Sequence, residues 1–180
     1  MDYIYINNQF LTKSVCEMLV KYFELSKNKH FKGNFGDGKT LDLTFKNCDE
    51  MYLSEKLEIP FVDSIKIVFD KYCQTHGIGG NFSFERFRIK RYLNNGKEYF
   101  NYHTDISSLK TSKRIVAVIM YLSDVEKGGE TAIKISGNEI KIKPEIGKLL
   151  MFPANFCYPH AGLAPESGIK YIMTTFITWA

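Results

Sequence analysis

The stretch Asn81-Phe82-Ser83-Phe84-Glu85-Arg86-Phe87-Arg88-Ile89-Lys90-Arg91-Tyr92 decides the fold, because there the hydrophobic pattern changes from a helical period to a period of two. Phe87 and Ile89 point one way; Arg86, Arg88, Lys90 and Tyr92 point the other. A strand is expected over residues 83–92. Further strands follow at 99–103, 114–122, 131–135, 139–143, 147–152, 156–160 and 169–179, with turn residues between them. Eight short strands in succession predict a jelly-roll double sheet.

Upstream the pattern is helical. After a short alternating strand at 3–6, Thr12 can cap a helix running to about residue 27. Its apolar set Val15, Cys16, Leu19, Val20 and Phe23 lies on one face. Residues 28–47 are rich in Gly, Asn, Lys and Asp and read as a long loop. Pro60 suits a first helical turn. The set Ile65, Val68, Phe69 and Tyr72 carries a second helix that closes near Gly77. The two helices are expected to brace one sheet, with Phe87 and Ile89 facing them. The organisation expected is one domain, 1–180, with 1–80 a helical buttress plus loops and 81–180 the β core.

Composition narrows the function classes. The 180 residues are 44% hydrophobic and 24% charged, ordinary for a globular chain and wrong for a disordered one. No apolar run approaches the roughly 20 residues that cross a bilayer. Met1-Asp2-Tyr3-Ile4-Tyr5-Ile6 has no secretory pattern. Cys16, Cys48, Cys73 and Cys157 form no CxxC pair and read as free thiols, most of them small core residues. These features place the expected location in the cytoplasm, with no membrane partner. A net charge of +4 without a concentrated basic patch gives no reason to expect a nucleic-acid partner.

Three features carry chemistry. On an extended strand His103 and Asp105 present an imidazole and a carboxylate to the same side. His160 lies on a later strand. Two His and one carboxylate on neighbouring strands make a facial triad suited to Fe(II), with positions left open for other ligands. A structural zinc site would want four protein ligands, usually with Cys. Third, Lys170 opens the strand Lys170–Trp179 and shares a face with Ile172 and Thr174. If that face looks inward, Lys170 needs an anion, and a dicarboxylate co-substrate would supply one.

The segment from about 83 to 179 resembles the Fe(II)/2-oxoglutarate dioxygenases, most closely the prolyl 4-hydroxylase-like branch. The resemblance is carried by Arg91-Tyr92, Tyr99 through His103-Thr104-Asp105, and Met120-Tyr121-Leu122 through Gly128-Gly129-Glu130-Thr131. It continues through Gly147 to Pro153, Pro159-His160-Ala161-Gly162 and Lys170. It implies a double-stranded β-helix, a cupin-like jelly roll, with helices on the major sheet. It implies His103, Asp105 and His160 as iron ligands. It implies Lys170 as the partner of the distal carboxylate of 2-oxoglutarate, assisted by Tyr92, Tyr121 or Thr174. The cofactors implied are Fe(II), 2-oxoglutarate and O2, with ascorbate as a possible addition. The reaction implied hydroxylates an unactivated C–H bond, releasing succinate and CO2. The expected target is a prolyl residue in a peptide or protein. A free amino acid, or a sensing module without turnover, stands as the alternative.

Two further residue groups stay open between readings. Arg88 shares the Tyr92 side of its strand, so it either orients an anionic or carbonyl group of the substrate or lies on a solvated face. The polar segment 106–113 is either a lid over the substrate or a plain loop. Gly128 and Gly129 read as turn geometry, and His30 and His76, with no carboxylate two residues away, as non-ligands.

Overall fold

The computed structural model describes residues 3–34 and 41–180, so residues 35–40 of the loop expected at 28–47 lie outside the described residues. In chain order the elements are β1 (Tyr5–Asn7), α1 (Lys13–Leu25), β2 (Phe31–Lys32), β3 (Asp49–Tyr52), α2 (Glu55–His76), β4 (Phe82–Phe84) and β5 (Arg88–Tyr92). Then come β6 (Phe100–His103), β7 (Arg114–Tyr121), β8 (Thr131–Ile135), β9 (Asn138–Ile142), β10 (Leu149–Pro153), β11 (His160–Gly162) and β12 (Lys170–Trp179).

Both helices form where an apolar stripe can be buried. In α1 the Thr12 hydroxyl accepts from the Val15 N–H, and Cys16, Leu19 and Phe23 are buried. Helix α2 begins at Glu55, five residues before the proline expected to open it. Pro60 removes one hydrogen bond from the second turn, a loss outweighed by packing of Phe61, Ile65, Phe69, Tyr72 and Cys73. Gly77, at φ +66°, caps the end through its N–H to the Cys73 carbonyl.

The strands pair antiparallel in two sheets. The larger runs β1-β10-β7-β12-β5-β3-β2, with β4 also on β12; the smaller runs β6-β11-β8-β9. Each strand of the large sheet shows one face to the helices and one to the smaller sheet. Met51, Ile89, Met173, Val118 and Met151 join the helix side in one core. Tyr92, Ile172, Ile119, Tyr121 and Phe152 line the space between the sheets. This is the double-stranded β-helix, braced on its major sheet by α1 and α2.

The expected strand 83–92 is broken in two. Strand β12 pairs with β5 at Thr174↔Arg88 and with β4 at Ile177↔Phe84. The 84–88 side therefore carries one residue more than the 174–177 side, as in a bulge. The extra residue resets the alternation, so Phe82 and Phe84 pack on the same core as Phe87 and Ile89. The loop expected at 28–47 contributes β2, which pairs with β3. The strand expected at 156–160 starts only at His160; residues before it form a turn in which the Tyr158 N–H bonds the Asn155 carbonyl.

Candidate active site

Strand pairing brings the site together. His160 opens β11 directly opposite His103, the last residue of β6. Asp105 follows two residues on, and the three ligand atoms lie within 4.8 Å of one another. His160 Nε2 is 3.4 Å from Asp105 Oδ2, and His103 Nε2 is 3.7 Å from Asp105 Oδ1. The imidazoles are aimed by their other nitrogens. His103 Nδ1 bonds the Asn101 carbonyl at 2.8 Å, and His160 Nδ1 the Tyr158 carbonyl at 3.2 Å. With Nδ1 donating, both Nε2 lone pairs face the Asp105 carboxylate.

The protonation states suit a metal. Burial pushes His160 down to about 4, so it is neutral at pH 7. Burial works to raise the Asp105 carboxyl, but His160, His103 and Arg114 outweigh it and hold the group below the ordinary carboxylate range. Asp105 Oδ2 is buried and lacks a hydrogen-bond partner. Two imidazoles beside an orphaned carboxylate oxygen leave a donor set that a divalent cation would satisfy.

These groups open into a cavity of about 840 Å³ between the sheets, which Lys170 and Tyr92 also line. Lys170 stands opposite Tyr92 in the β12–β5 pairing, is 1% exposed, and holds its Nζ 5.2 Å from the Tyr92 ring centroid. Burial, aided by Lys90 and opposed by Glu130, pushes Lys170 down to about 7. Gly162 faces it from β11. A Cβ there would stand 3.8 Å from Lys170 Nζ and 3.9 Å from the Tyr92 hydroxyl, so glycine keeps that space open. Thr174 lies four residues further along the same face, beyond Ile172, its Oγ1 buried and unpartnered. Tyr121 is sealed beneath the cavity. Its hydroxyl donates to Thr131 Oγ1 at 2.6 Å, and Thr131 is the residue that lines the space.

Arg88 lines the cavity and is not on a solvated face. Its side chain is 15% exposed and its Nη1 lies 3.3 Å from Glu50 Oε2. Two groups that sequence reasoning missed, Glu50 and Lys46, join Lys90, which it set on the Arg88 side of the strand without a role. Glu50 is fully buried, Lys46 bonds its Oε1 at 2.5 Å, and Lys90 lies 3.8 Å from the same oxygen. Lys90 was legible from its alternation with Arg88. Nothing in the local pattern marks Lys46 or Glu50, because Glu50 is placed by β3 joining β5 and Lys46 by its bridge to Phe100 of β6.

Segment 106–113 contributes Ser107, Lys110 and Thr111 to the cavity rim. A short 3-10 turn, Leu109–Thr111, closes it, and Thr111 Oγ1 accepts from the Ser107 and Ser108 N–H groups. Its far end is anchored by Arg114. That guanidinium forms a fork to Glu85, at 2.6 and 2.8 Å, and its Nη1 donates to the Asp105 carbonyl at 3.1 Å.

Known proteins share this fold. Residues 87–178 match the 2OG-Fe(II) oxygenase superfamily. A viral collagen prolyl hydroxylase from Paramecium Bursaria Chlorella virus-1, solved with 2OG, superposes with a TM-score of 0.74 at 22% identity, covering 99% of this chain and 97% of that one. A Pseudomonas putida prolyl-4-hydroxylase gives 0.79 at 15% identity, covering 99% and 94%. A Trichoplax adhaerens prolyl hydroxylase, in complex with a hypoxia inducible factor peptide fragment, gives 0.78 at 18% identity, covering 99% and 84%. In sequence, a probable prolyl 4-hydroxylase 7 of Arabidopsis thaliana is 25% identical over 147 residues, 79% of this chain. The chain spans 45% of that relative's length. Among the described residues no helix is long and apolar enough to cross a membrane.

Proposed function

The chain belongs to the 2OG-Fe(II) oxygenase superfamily, and from that premise we propose that it hydroxylates an unactivated C–H bond of a prolyl residue in a peptide or protein, using Fe(II), 2-oxoglutarate and O2. The observation that carries this reading is the convergence of His103, Asp105 and His160 on one cavity with the buried cation Lys170. We read 1–180 as one catalytic unit, with the helices as its buttress.

The residues fit the cofactors. His103, Asp105 and His160 would hold Fe(II) through two Nε2 atoms and a carboxylate oxygen that otherwise lacks a partner. Among the described residues no fourth His, Cys, Asp or Glu joins the group, so it is not a closed zinc site. Lys170 would take the distal carboxylate of 2-oxoglutarate, with the unpartnered Thr174 hydroxyl donating beside it. Tyr92 would form the wall on which that carboxylate rests, and Tyr121 would support it from beneath through Thr131. Bound together, the metal and co-substrate supply the oxidising chemistry, in which one atom of O2 enters the C–H bond and the other enters succinate as CO2 leaves.

The protein's part is positioning and exclusion of water. The Asn101 and Tyr158 carbonyls fix the ring orientations, and Arg114 fixes the Asp105 backbone. Segment 106–113 would cover the substrate, since its side chains already form part of the rim. A prolyl target in a peptide is supported by the names of the similar proteins and by the peptide held in the Trichoplax complex.

The test is conversion of 2-oxoglutarate to succinate, in air with added Fe(II), by the wild type, Asp105→Ala and Lys170→Ala. Proline-containing peptides are screened alongside for a one-oxygen mass gain. The expected result is turnover that Asp105→Ala abolishes and Lys170→Ala weakens by raising the KM for 2-oxoglutarate. Turnover insensitive to both substitutions would overturn the assignment of the site.

A further inference from the structure

Among the described residues, the cavity wall holds more positive charge than its own carboxylates and a bound co-substrate balance. Along β5, Arg88 and Lys90 point into it beside Tyr92; along β3, Glu50 stands directly opposite Lys90. Lys46 reaches the same carboxylate, with its Nζ also donating to the Asn34 carbonyl at 2.6 Å. Three cations thus share one carboxylate among the described residues. Glu50 Oε1 takes Lys46 at 2.5 Å and Lys90 at 3.8 Å, and Oε2 takes Arg88 at 3.3 Å. Of the other basic residues that line the cavity, Arg86 is engaged with Glu55 and Glu58 and Arg114 with Glu85, Lys110 belongs to the rim segment, and Lys170 lies at the metal end.

The charges can be balanced group by group. A divalent metal and Lys170 bring three positive charges, and Asp105 with a 2-oxoglutarate dianion brings three negative ones. That centre is neutral when loaded. The Lys46, Glu50, Arg88 and Lys90 cluster is not; it retains a surplus of two positive charges in a wall that is nine-tenths buried at Lys90 and completely buried at Glu50. Buried charge without a counter-charge is costly. Burial and the neighbouring cations push Lys90 down to about 8, a repulsion that an arriving anion would relieve. Lys90 lines the cavity two residues from Tyr92 on β5, opposite Ile172 of β12, and Tyr92 in turn stands opposite Lys170.

We propose that the substrate of this site carries a carboxylate close to the carbon that is oxidised, and that Arg88 and Lys90 bind it. The inference rests on the oxygenase reading of the cavity and narrows its substrate class. Arg88 offers a planar donor fork and Lys90 a point charge. Glu50 contacts both and is itself held by Lys46, so Glu50 is a positioning residue and Lys46 acts through it. The carboxylate can be an acidic side chain flanking a target proline in a peptide, or the α-carboxylate of a free amino acid.

The test uses the full chain loaded with Mn(II) and 2-oxoglutarate under nitrogen, with binding read by calorimetry. Two matched pairs are the probes. One is a blocked Ala/Pro pentapeptide with Asp against Asn, placed in turn at each of the two positions either side of the proline. The other is free L-proline against L-prolinamide. At least one carboxylate member is expected to bind ten-fold or more tightly than its amide partner. The pair that discriminates identifies the source of the carboxylate. The discrimination should shrink between 50 and 500 mM salt and vanish in the Arg88→Met/Lys90→Met variant. Equal binding within both pairs, absence of binding by all members included, overturns the proposal, as does discrimination that survives the double substitution. The wild-type pairs decide the matter even if that variant does not fold. Failure of the oxygenase reading registers separately, because 2-oxoglutarate would then leave the melting temperature of the Mn(II)-loaded protein unchanged.

Discussion

Glu50 and Lys90 face each other across the β3–β5 pairing, and the carboxylate of one is the shared counter-charge for three buried cations. Glu50 is therefore structural as well as electrostatic. Burial works to raise its carboxyl, yet Lys90, Lys46 and Arg88 bring it down to about 2. Replacing Glu50 with Ala should destabilise the fold by about 3–5 kcal/mol, the range for breaking a buried ion pair from one side. Urea denaturation measures this. A loss under 1 kcal/mol would mean that the cations find other partners.

The same group gives a pH dependence. Its folded pKa lies below its unfolded value of about 4.5, so the folded state binds fewer protons and the stabilisation is present above pH 4.5. It is lost as pH falls from about 4.5 towards 2. Thermal melts across that window should show a decline that Glu50→Gln flattens. Equal slopes in the two proteins would refute the assignment.

Lys170 predicts a second, opposite window. In the free protein it is pushed down to about 7 by burial, with Lys90 adding to the effect and Glu130 opposing it. A carboxylate partner requires the charged form. Binding of 2-oxoglutarate should therefore weaken above pH 7, by up to about ten-fold per pH unit, and should take up a proton there. Calorimetry in buffers of different ionisation enthalpy reads the proton directly. Proton-neutral binding at pH 8 would show that Lys170 is already charged in the free state.

Arg114 holds the Asp105 carbonyl while its guanidinium fork grips Glu85 and its face lies 3.8 Å from the Phe176 ring. Lysine cannot reproduce a fork and a stacked plane together. Arg114→Lys should lower divalent-metal affinity by about ten-fold, as loss of an outer-shell contact does. Mn(II) titration followed by electron paramagnetic resonance is the readout. An unchanged affinity would make Arg114 a rim residue only.

Gly147, at φ +84°, accepts from the Phe10 and Leu11 N–H groups at 2.9 Å and so docks the lead-in to α1. A Cβ there would come within 2.3 Å of the Leu11 carbonyl oxygen. Gly147→Ala should cost on the order of 3 kcal/mol, from strain at positive φ and displacement of that backbone. Chemical denaturation would expose a smaller loss.

Much of this protein follows from its sequence. The change to a period of two at residue 81 carries the double sheet, because alternation is dictated by which face of a strand is buried. The stripe of Cys16, Leu19 and Phe23 carries α1 for the same local reason. His103 with Asp105, then His160 and Lys170, are legible as a set, because their order and spacing match the family that the sequence resembles, whereas a His-x-Asp pair alone means little. Gly128 and Gly129, both at positive φ, have the turn geometry expected of them.

Tertiary structure alone decided the rest, because it depends on partners distant in sequence. The break between β4 and β5 exists only because β12 takes one residue fewer over the same span. Helix α2 runs through Pro60 because the sheet beneath rewards the added turn. The Tyr121 hydroxyl is turned away from the cavity because Thr131, ten residues on, accepts it. Lys46 and Glu50 carry no mark in one dimension, and Arg88 with Lys90 stays open there between a cavity wall and a solvated face. Pairing of β3 with β5 sets Glu50 against Lys90, with Lys46 bridged to Phe100 beside them, and burial makes their unequal charges the feature that distinguishes the cavity.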